Sequence, residues 1–229
     1  MLRFDKTRLQ PADILHCWGV TWASRLIEWG LNDGSHDALA IPFERDWYAG
    51  DALPPRCTLT SLDQYETEMN AERPLIVAVY RVPEAAAWQR ADAAQWWVSN
   101  VLGRPYDFSP YFKIILKKLG SPFSAKIANW QWADWCTEGG ADAWKFGGGI
   151  DVWRKKWPTP LTTQKRVEQG RLLNVTQECV VWSGQNERAK NEDANCGYFG
   201  LGAVGAGVRH NDSEPGMPGA ASGNPSDGA

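Results

Sequence analysis

The sequence predicts an α+β domain followed by a flexible tail. The clearest strand covers residues 75–82, which are apolar and rich in β-branched side chains. Residues 84–102 place apolar side chains at near-helical spacing, which predicts a helix. From about residue 183 the composition shifts to Gly, Asn, Ser, Pro and Ala, which bury too little apolar surface to offset their ordering entropy. We therefore expect one domain over residues 1–182 and a flexible tail over residues 183–229.

The composition is that of an ordinary globular protein. The 229 residues carry a net charge of -3, and 43% of them are hydrophobic. This balance leaves room for one substantial core and provides no basic field for nucleic acid. The five cysteines are widely spaced and contain no C-x-x-C, so neither a disulfide framework nor a zinc site is predicted. Free thiols, a reducing compartment and no cofactor are the expectation.

The N-terminal residues MLRFDKTRLQ are charged and are followed by no long apolar run. This pattern argues against a signal peptide and against a membrane span. A cytoplasmic location is therefore the default expectation, and export or association with a virion would need another route. The tail could bind a protein partner.

The first part of the chain is predicted to contain a strand, a helix and a second strand, in that order. A strand is expected at residues 11–16, where a proline precedes apolar residues. Residues 20–31 predict an amphipathic helix, which ends at the turn sequence Asn-Asp-Gly-Ser at 32–35. An apolar run of strand length follows at residues 37–43. Residues 44–50 are polar and mixed.

The rest of the domain is predicted to alternate further helices and strands. Ser61 begins a capped helical turn, and the strand at 75–82 is expected near the centre of its sheet. Tyr106 and Asp107 are interpreted as structural residues of a loop. The remaining predicted elements are helices at 84–102, 110–119 and 164–169 and closing strands at 172–175 and 180–182.

Cys136 is the candidate nucleophile. It follows an aromatic run with strand-like alternation at residues 130–135 and opens a helix-permissive segment. At a helix N-terminus, unpaired backbone N–H groups and the positive end of the macrodipole favour the thiolate over the thiol. The alternative is that Cys136 is a small buried hydrophobic residue among tryptophans.

His36 is the candidate base, because it stands between a turn and the strand at residues 37–43, where a strand end can hold an imidazole firmly. The alternative is a turn residue that bonds to the backbone. His16, in the first strand, and His210, in the tail, are less well placed.

Four short motifs resemble those of a known family. In chain order the motifs are P-A-D-I-L with S-R-L-I-E-W, S-H-D-A-L-A-I, G-R-P-Y-D-F and W-C-T-E. They resemble those of the circularly permuted NlpC-type papain-like hydrolases. These are the YiiX-like proteins, related in architecture to the lecithin-retinol acyltransferase group. The resemblance spans residues 9–173 and implies a permuted papain-like fold with an antiparallel sheet packed against helices.

The resemblance also implies roles for individual residues. It matches His36 to the family's catalytic histidine and Cys136 to its nucleophile. The third polar residue of the family is expected on the next strand, where Asp51 is the closest match and Glu44 and Asp46 are the fallbacks. The backbone N–H of Cys136 is expected to stabilise an oxyanion, with the second donor left open.

Two departures from the family pattern follow the cysteine. Thr137 replaces the usual serine, and Gly139 and Gly140 replace an apolar pair. Because two glycines weaken a first helical turn by up to about 1 kcal/mol each relative to alanine, we expect either a late helix start or a close backbone contact.

The function implied is that of a cysteine peptidase or amidase. Its expected substrate is an amide bond in a peptide or peptidoglycan fragment of the bacterial cell wall. An acyl-amide or lipid acyl chain is the alternative substrate, for a hydrolase or a transferase of the same fold. A catalytically inactive binding or structural module, associated with a virion or a secretion system, is the alternative from another functional class. The double glycine and the 14 tryptophans favour it.

Overall fold

Helices pack on both faces of an antiparallel sheet in the computed structural model, which describes residues 1–19, 21–31, 33–122, 135–154 and 158–183. This arrangement confirms the α+β class. The strands are β1 (Leu2–Phe4), β2 (Ile14–Trp18), β3 (His36–Phe43), β4 (Asp46–Leu53), β5 (Arg56–Ser61), β6 (Ile76–Arg81), β7 (Leu173–Asn174) and β8 (Val180–Trp182). The helices are α1 (Trp22–Leu31), α2 (Leu62–Met69), α3 (Ala87–Asn100), α4 (Ser109–Lys118), α5 (Cys136–Asp142), α6 (Pro160–Glu168) and α7 (Thr176–Cys179), and a π-helix (Ala143–Gly147) continues α5.

The main sheet has six strands in the order β5-β4-β3-β2-β6-β7, and every neighbouring pair is antiparallel. A separate two-stranded sheet pairs β1 with β8, and so joins the first residues to the last described ones. The predicted tail from residue 184 and the aromatic run at 130–134 lie outside the described residues.

The central strands are apolar on both faces because the sheet separates two core layers. Alternate residues of β2 and β3 enter different clusters: Ile14 and Leu39 join α3, α5 and the π-helix in a first layer, and Leu15 and Ala38 join α2 in a second layer. Strands buried on both faces have near-continuous apolar sequences rather than alternating ones. The strand signals at residues 11–16 and 37–43 have this origin.

The strand β6 is not central, so that prediction was wrong. It lies next to the two-residue β7 at one side of the sheet. Its outer edge is nevertheless covered, because the Val79 N–H donates to Thr176 Oγ1 at 2.9 Å and the Val79 carbonyl accepts from the Val175 N–H at 2.9 Å. An edge covered in this way can carry the apolar sequence of an interior strand.

The residue pattern did not predict the strand β4, although the family resemblance implied a strand at Asp51. Its buried residues are Ala49, Gly50, Asp51 and Ala52, small or polar types that are depleted in strands. Gly50 is needed there because a Cβ would lie 3.1 Å from the Trp97 ring and 3.0 Å from Ile41. The close approach of α3 to the sheet thus removed the sequence signal for this strand.

The two glycines after Cys136 do not delay the helix, which begins at Cys136. A Cβ at Gly139 would lie 3.1 Å from Val101 and 3.3 Å from Trp97 Nε1, so a close contact with the α3 region occupies this position. At Gly140 the nearest atom would be 3.5 Å away, on Leu39, which is an ordinary contact.

We expect Gly147→Ala to lower the free energy of unfolding by about 1–3 kcal/mol, although alanine is the better helix former. The new Cβ would lie 2.6 Å from Trp96 Cβ and 2.7 Å from the Asp92 carbonyl oxygen on α3. Urea unfolding monitored by circular dichroism measures the change.

Gly140→Ala is the matched control, since its Cβ has room and should stabilise the helix by up to about 1 kcal/mol. Equal stabilisation by both substitutions would contradict the close packing of the π-helix against α3.

Candidate active site

The His36 side chain is held by a buried carboxylate. His36 is the first residue of β3, and its Nε2 lies 2.8 Å from Asp51 Oδ1 on the neighbouring strand β4. The Tyr65 hydroxyl donates to the same oxygen at 2.6 Å. Asp51 is fully buried, so both donors reach it within the protein interior. The position of the His36 ring is therefore fixed by two elements, β4 and α2.

The helix α2 that carries Tyr65 is anchored at its start. Ser61 is its N-cap and accepts hydrogen bonds from the backbone N–H groups of Asp63 and Gln64, as a serine N-cap normally does. This confirms the capped turn expected at Ser61. The buried face of the helix then points Tyr65 toward the second core layer.

The three carboxylates considered as partners of His36 lie in different surroundings. Glu44 and Asp46 are exposed, and Asp46 accepts a hydrogen bond from Lys6 Nζ at 2.8 Å. Only Asp51, of the three, bonds to the His36 ring. Asp51 was reached from a loosely matching motif, and nothing in its own strand pattern marked it as buried.

Cys136 is the first residue of α5, and its side chain is almost fully buried, with 6% of the residue exposed. Trp135 precedes it as the N-cap in extended conformation. Burial alone would lower the pKa of His36. Hydrogen bonding to Asp51 and to Cys136, together with the negative charges of these two residues, outweighs burial and raises the pKa of His36 to about 10. The structure thus brings His36, Asp51 and Cys136 together.

The contact between His36 and Cys136 crosses from one core layer to the other. Cys136 belongs to the first layer, whereas Tyr65, which shares Asp51 with His36, belongs to the second. Because His36 is the first residue of its strand, its ring lies at the end of the sheet.

A second buried network lies beside the first and is built around Asp37. Asp37 Oδ1 lies 2.6 Å from His16 Nδ1, and Asp37 Oδ2 accepts hydrogen bonds from the Thr137 hydroxyl at 2.7 Å and the Thr163 hydroxyl at 2.8 Å. These contacts join β3 to β2, α5 and α6. Because Thr137 follows Cys136 directly, the network fixes the first turn of the helix that carries the candidate nucleophile.

The charges of this second network shift the pKa values of Asp37 and His16. Burial alone would raise the pKa of Asp37, but the His16 charge and the hydrogen bonds to His16, Thr137 and Thr163 lower it below its ordinary value. Burial would likewise lower the pKa of His16, but the charges and contacts of Asp37 and Asp33 raise it to about 9. Asp33 Oδ1 lies 3.6 Å from His16 Nε2, too far for a good hydrogen bond. His16 is therefore an imidazolium at neutral pH.

The other described cysteines have different surroundings. Burial, followed by the charges of Asp51 and Asp37, raises the pKa of the Cys17 thiol well above its ordinary value, and this thiol donates to the Leu15 carbonyl at 3.6 Å. Burial raises the pKa of Cys179 to about 11. Cys57 is fully buried. Such thiols are poor nucleophiles at neutral pH.

The loop that carries Tyr106 and Asp107 is tied to its neighbours. The Tyr106 N–H donates to the Pro55 carbonyl at 3.1 Å, and Asp107 Oδ1 accepts from the Ser109 N–H at 2.7 Å, just before α4. These contacts agree with a structural role for both residues.

The described residues contain neither a membrane-spanning helix nor a cluster of metal-binding side chains. Among the helices described, none has the length and hydropathy required to cross a bilayer. No group of three or more His, Cys, Asp or Glu side chains in the same part of the chain is arranged to hold a metal ion.

Sequence reasoning missed four residues of these networks: Tyr65, Asp37, Thr137 as a bonding partner, and Thr163. It also placed His16 outside the site. The strand pairing supplies a signal for one of them, because His16 and Asp37 are directly opposite each other on β2 and β3. The spacing of Tyr65 and Thr163 in their helices gave no such signal.

Comparisons with known proteins give a distant match. No protein-family model matches the sequence, and no curated protein sequence matches it. Among solved structures, the chain is similar to the metalloprotein yiiX from Escherichia coli O157:H7, also described as DUF1105, with a TM-score of 0.47 and 22% identity over 78% of this chain and 91% of that chain. At this level the likeness assigns neither a family nor an activity, and the permuted NlpC-type papain-like fold stays a prediction.

We expect the stabilising effect of His16 to disappear as the pH rises. Its folded-state pKa of about 9 lies above the ordinary value of 6.5. The contribution is therefore fully present below about pH 6.5 and is lost as the pH rises through 9. Urea unfolding of the wild type and of His16→Gln should give a stability difference that shrinks by on the order of 3 kcal/mol between pH 6 and pH 9.5.

Taking the difference between the two proteins cancels the titration of groups that they share, His36 included. A difference that stays constant over this range would show that His16 is neutral in the folded protein.

Proposed function

We propose that this protein is a cysteine hydrolase that cleaves an amide bond with Cys136 as nucleophile, His36 as general acid and base, and Asp51 as the residue that orients His36. The observation that carries the proposal is the position of His36 between a buried carboxylate and the sulfur-bearing residue at a helix start. A nucleophile, a base within reach and a third group that fixes the base are the parts such catalysis needs.

The raised pKa of His36 sets the resting protonation state. With a pKa of about 10, the ring carries two protons at neutral pH. Its Nε2–H donates to Asp51, which leaves the Nδ1–H for the sulfur of Cys136. An imidazolium beside a cysteine favours the thiolate, as in other cysteine nucleophiles paired with histidine.

In the proposed reaction the Cys136 sulfur attacks the carbonyl carbon of the amide, and a C–S bond forms. The backbone N–H of Cys136, one of the first helical donors that lack an intrahelical partner, stabilises the oxyanion. His36 gives its Nδ1 proton to the departing nitrogen as the C–N bond breaks. Water then attacks the thioester, His36 takes a proton from it, and the acid is released as the sulfur leaves.

The hydroxyl of Tyr65 supports this cycle without contacting the substrate. It donates to the Asp51 oxygen that also binds His36, so Asp51 stays in place while the charge on His36 changes. The other oxygen of Asp51 is buried and has no hydrogen-bond partner. Asp51 therefore depends on His36 and Tyr65 for the stabilisation of its charge.

The expected substrate is a peptide amide of the bacterial cell wall, by the sequence resemblance. Acyl chains of lipids are the second candidate for the same sulfur chemistry. A module that binds such a ligand without turnover is the alternative from another functional class. The near-complete burial of Cys136 favours this alternative, because a substrate must reach the sulfur before it can react.

We expect iodoacetamide at pH 7 to modify Cys136 faster than Cys17, Cys57 or Cys179. The reason is the imidazolium beside Cys136, set against the raised pKa values of the Cys17 and Cys179 thiols and the complete burial of Cys57. The rate should stay nearly constant between pH 6 and pH 9, because His36 keeps its proton there. Peptide mass spectrometry after timed quenching measures the rate at each cysteine, in a Cys196→Ser background.

In His36→Gln the Cys136 rate should instead rise with pH, as for an isolated thiol. Asp51→Asn should slow the reaction, and Asp46→Asn should leave it unchanged, because Asp46 is exposed and pairs with Lys6. Faster modification of Cys17 or Cys57 than of Cys136 would reject the activated sulfur.

Hydrolysis is tested directly by incubating the protein with a soluble muropeptide digest and identifying the products by mass spectrometry. We expect Cys136→Ala to abolish cleavage, and His36→Gln to lower its rate by roughly a hundred- to ten-thousand-fold, the usual effect of general acid–base catalysis. Asp46→Asn is again the control with full activity.

Release of fatty acid from phospholipid vesicles, and not of peptide, would assign the acyl alternative. Muropeptide binding of equal strength with and without Cys136→Ala, with no product from either, would establish the binding module and end the enzyme proposal.

A further inference from the structure

A cavity of about 580 Å³ is lined in part by Trp135, the residue before the candidate nucleophile in the chain. Its described walls come from the end of α1, from α4, from the start of α6 and from Trp135, the residue before Cys136. The apolar part of the lining includes Leu31, Ile114 and Leu161. A pocket of this size and character suits the apolar segment of a small molecule.

The charged part of the lining has one sign. Lys113, Lys117 and Lys118 of α4 and Lys165 of α6 line the cavity, and the described lining contains no Asp or Glu. This concentration of positive charge occurs in a chain whose net charge is -3. Four ammonium groups around an apolar cavity attract an anion, and lysine binds carboxylate and phosphate as a point charge.

An independent observation also indicates a ligand. Trp135 is 3% exposed and lines the cavity, and its indole Nε1–H is buried without a hydrogen-bond partner. Two other buried indoles have partners: Trp144 donates to the Ala12 carbonyl at 3.1 Å, and Trp153 donates to the Thr163 hydroxyl at 3.0 Å. Buried donors without partners are rare in folded proteins. An acceptor oxygen on a bound molecule would give the indole N–H of Trp135 a hydrogen-bond partner.

The cavity is connected to the candidate active site through two pairs of neighbouring residues. Trp135 precedes Cys136 in the chain. Thr162, which lines the cavity, precedes Thr163, whose hydroxyl donates to Asp37 at 2.8 Å in the network that fixes Thr137. The wall of the cavity and the start of α5 are therefore held by the same carboxylate.

We propose that this cavity binds the anionic part of the substrate of Cys136, and that the substrate is an acyl compound with an apolar segment and a carboxylate or phosphate group. Trp135 Nε1–H donates to an oxygen of the ligand, and the lysines neutralise its charge. The assignment rests on the proposed function in one respect, that the molecule bound here is the one that Cys136 attacks.

Octanoate, octyl phosphate and octyltrimethylammonium are suitable probes, because they share one apolar chain and differ in the head group. Isothermal titration calorimetry on the full chain should show either anion binding at least about tenfold more tightly than the cation, and binding should weaken between 50 and 500 mM NaCl because the attraction is screened. The tighter anion identifies the head group as carboxylate or phosphate. Equal binding of all three probes, or no binding, would overturn the anion pocket.

The variant Lys117→Gln/Lys165→Gln should weaken anion binding by at least about tenfold. Both lysines are exposed, so the substitutions leave the core intact. Lys145→Gln, an exposed lysine over the Phe146 ring and outside the cavity lining, is the matched control and should bind as the wild type does. Trp135→Phe should weaken binding and remove the indole signal that shifts on addition of octanoate in a ¹H–¹⁵N spectrum. Unchanged affinity in the double lysine variant would overturn the proposal.

The connection to Cys136 has its own readout. The tighter anion, at saturating concentration, should slow alkylation of Cys136 by iodoacetamide several-fold and leave that of Cys179 unchanged. Tight, lysine-dependent binding without any slowing would separate the pocket from Cys136 and reject the substrate assignment. Failure of the proposed function looks different, because Cys136 would then be unreactive in the free protein, before any anion is added.

Discussion

The carboxylate of Asp37 is the contact on which the arrangement of the site depends. It binds His16 on β2, Thr137 on α5 and Thr163 on α6, so one buried charge joins the sheet to two helices whose bonding residues lie 100 and 126 positions further along the chain. Apolar packing places a helix on a sheet but leaves its rotation and translation loosely specified. Hydrogen bonds from two threonines to one carboxylate define both. Thr137 is therefore a structural contact of the helix start.

Alternation along β3 lets two consecutive residues hold two separate networks. His36 bonds to Asp51, which is shared with Tyr65 of the second core layer, whereas Asp37 bonds to groups that belong with the first layer. A shift of β3 by one residue would exchange the two side chains and disrupt both networks. Buried ionic networks are expensive to desolvate, and their common benefit is a unique arrangement rather than extra stability. Here the arrangement that they specify is the one that brings Cys136 to the His36 ring.

The sequence predicted the elements whose patterns arise from simple burial, and it failed where tertiary contacts replaced those patterns. The helices α1, α3 and α4 and the strands β2, β3 and β6 follow apolar spacing closely. The strand β4 was missed because the approach of Trp97 requires Gly50 and because Asp51 is buried for its bond to His36. Of the site, the sequence motifs supplied His36, Cys136 and Asp51, whose roles remain proposals. The network of Asp37 depends on which strands pair, and no single segment contains that information.

The two histidines of the described site show why a His–Asp pair alone does not define an active site. Both rings bind a buried carboxylate, and the pKa of each is raised, to about 9 for His16 and about 10 for His36. The side chain of His16 is fully buried, and both of its nitrogens face carboxylates, Asp37 and Asp33. Its proton therefore has no acceptor except a group that already stabilises it. The side chain of His36 is 15% exposed and has a carboxylate on one nitrogen only, with Cys136 raising its pKa as well. A ring fixed on one side and open to a sulfur on the other can transfer a proton during a reaction, whereas a ring enclosed by two carboxylates can only hold one.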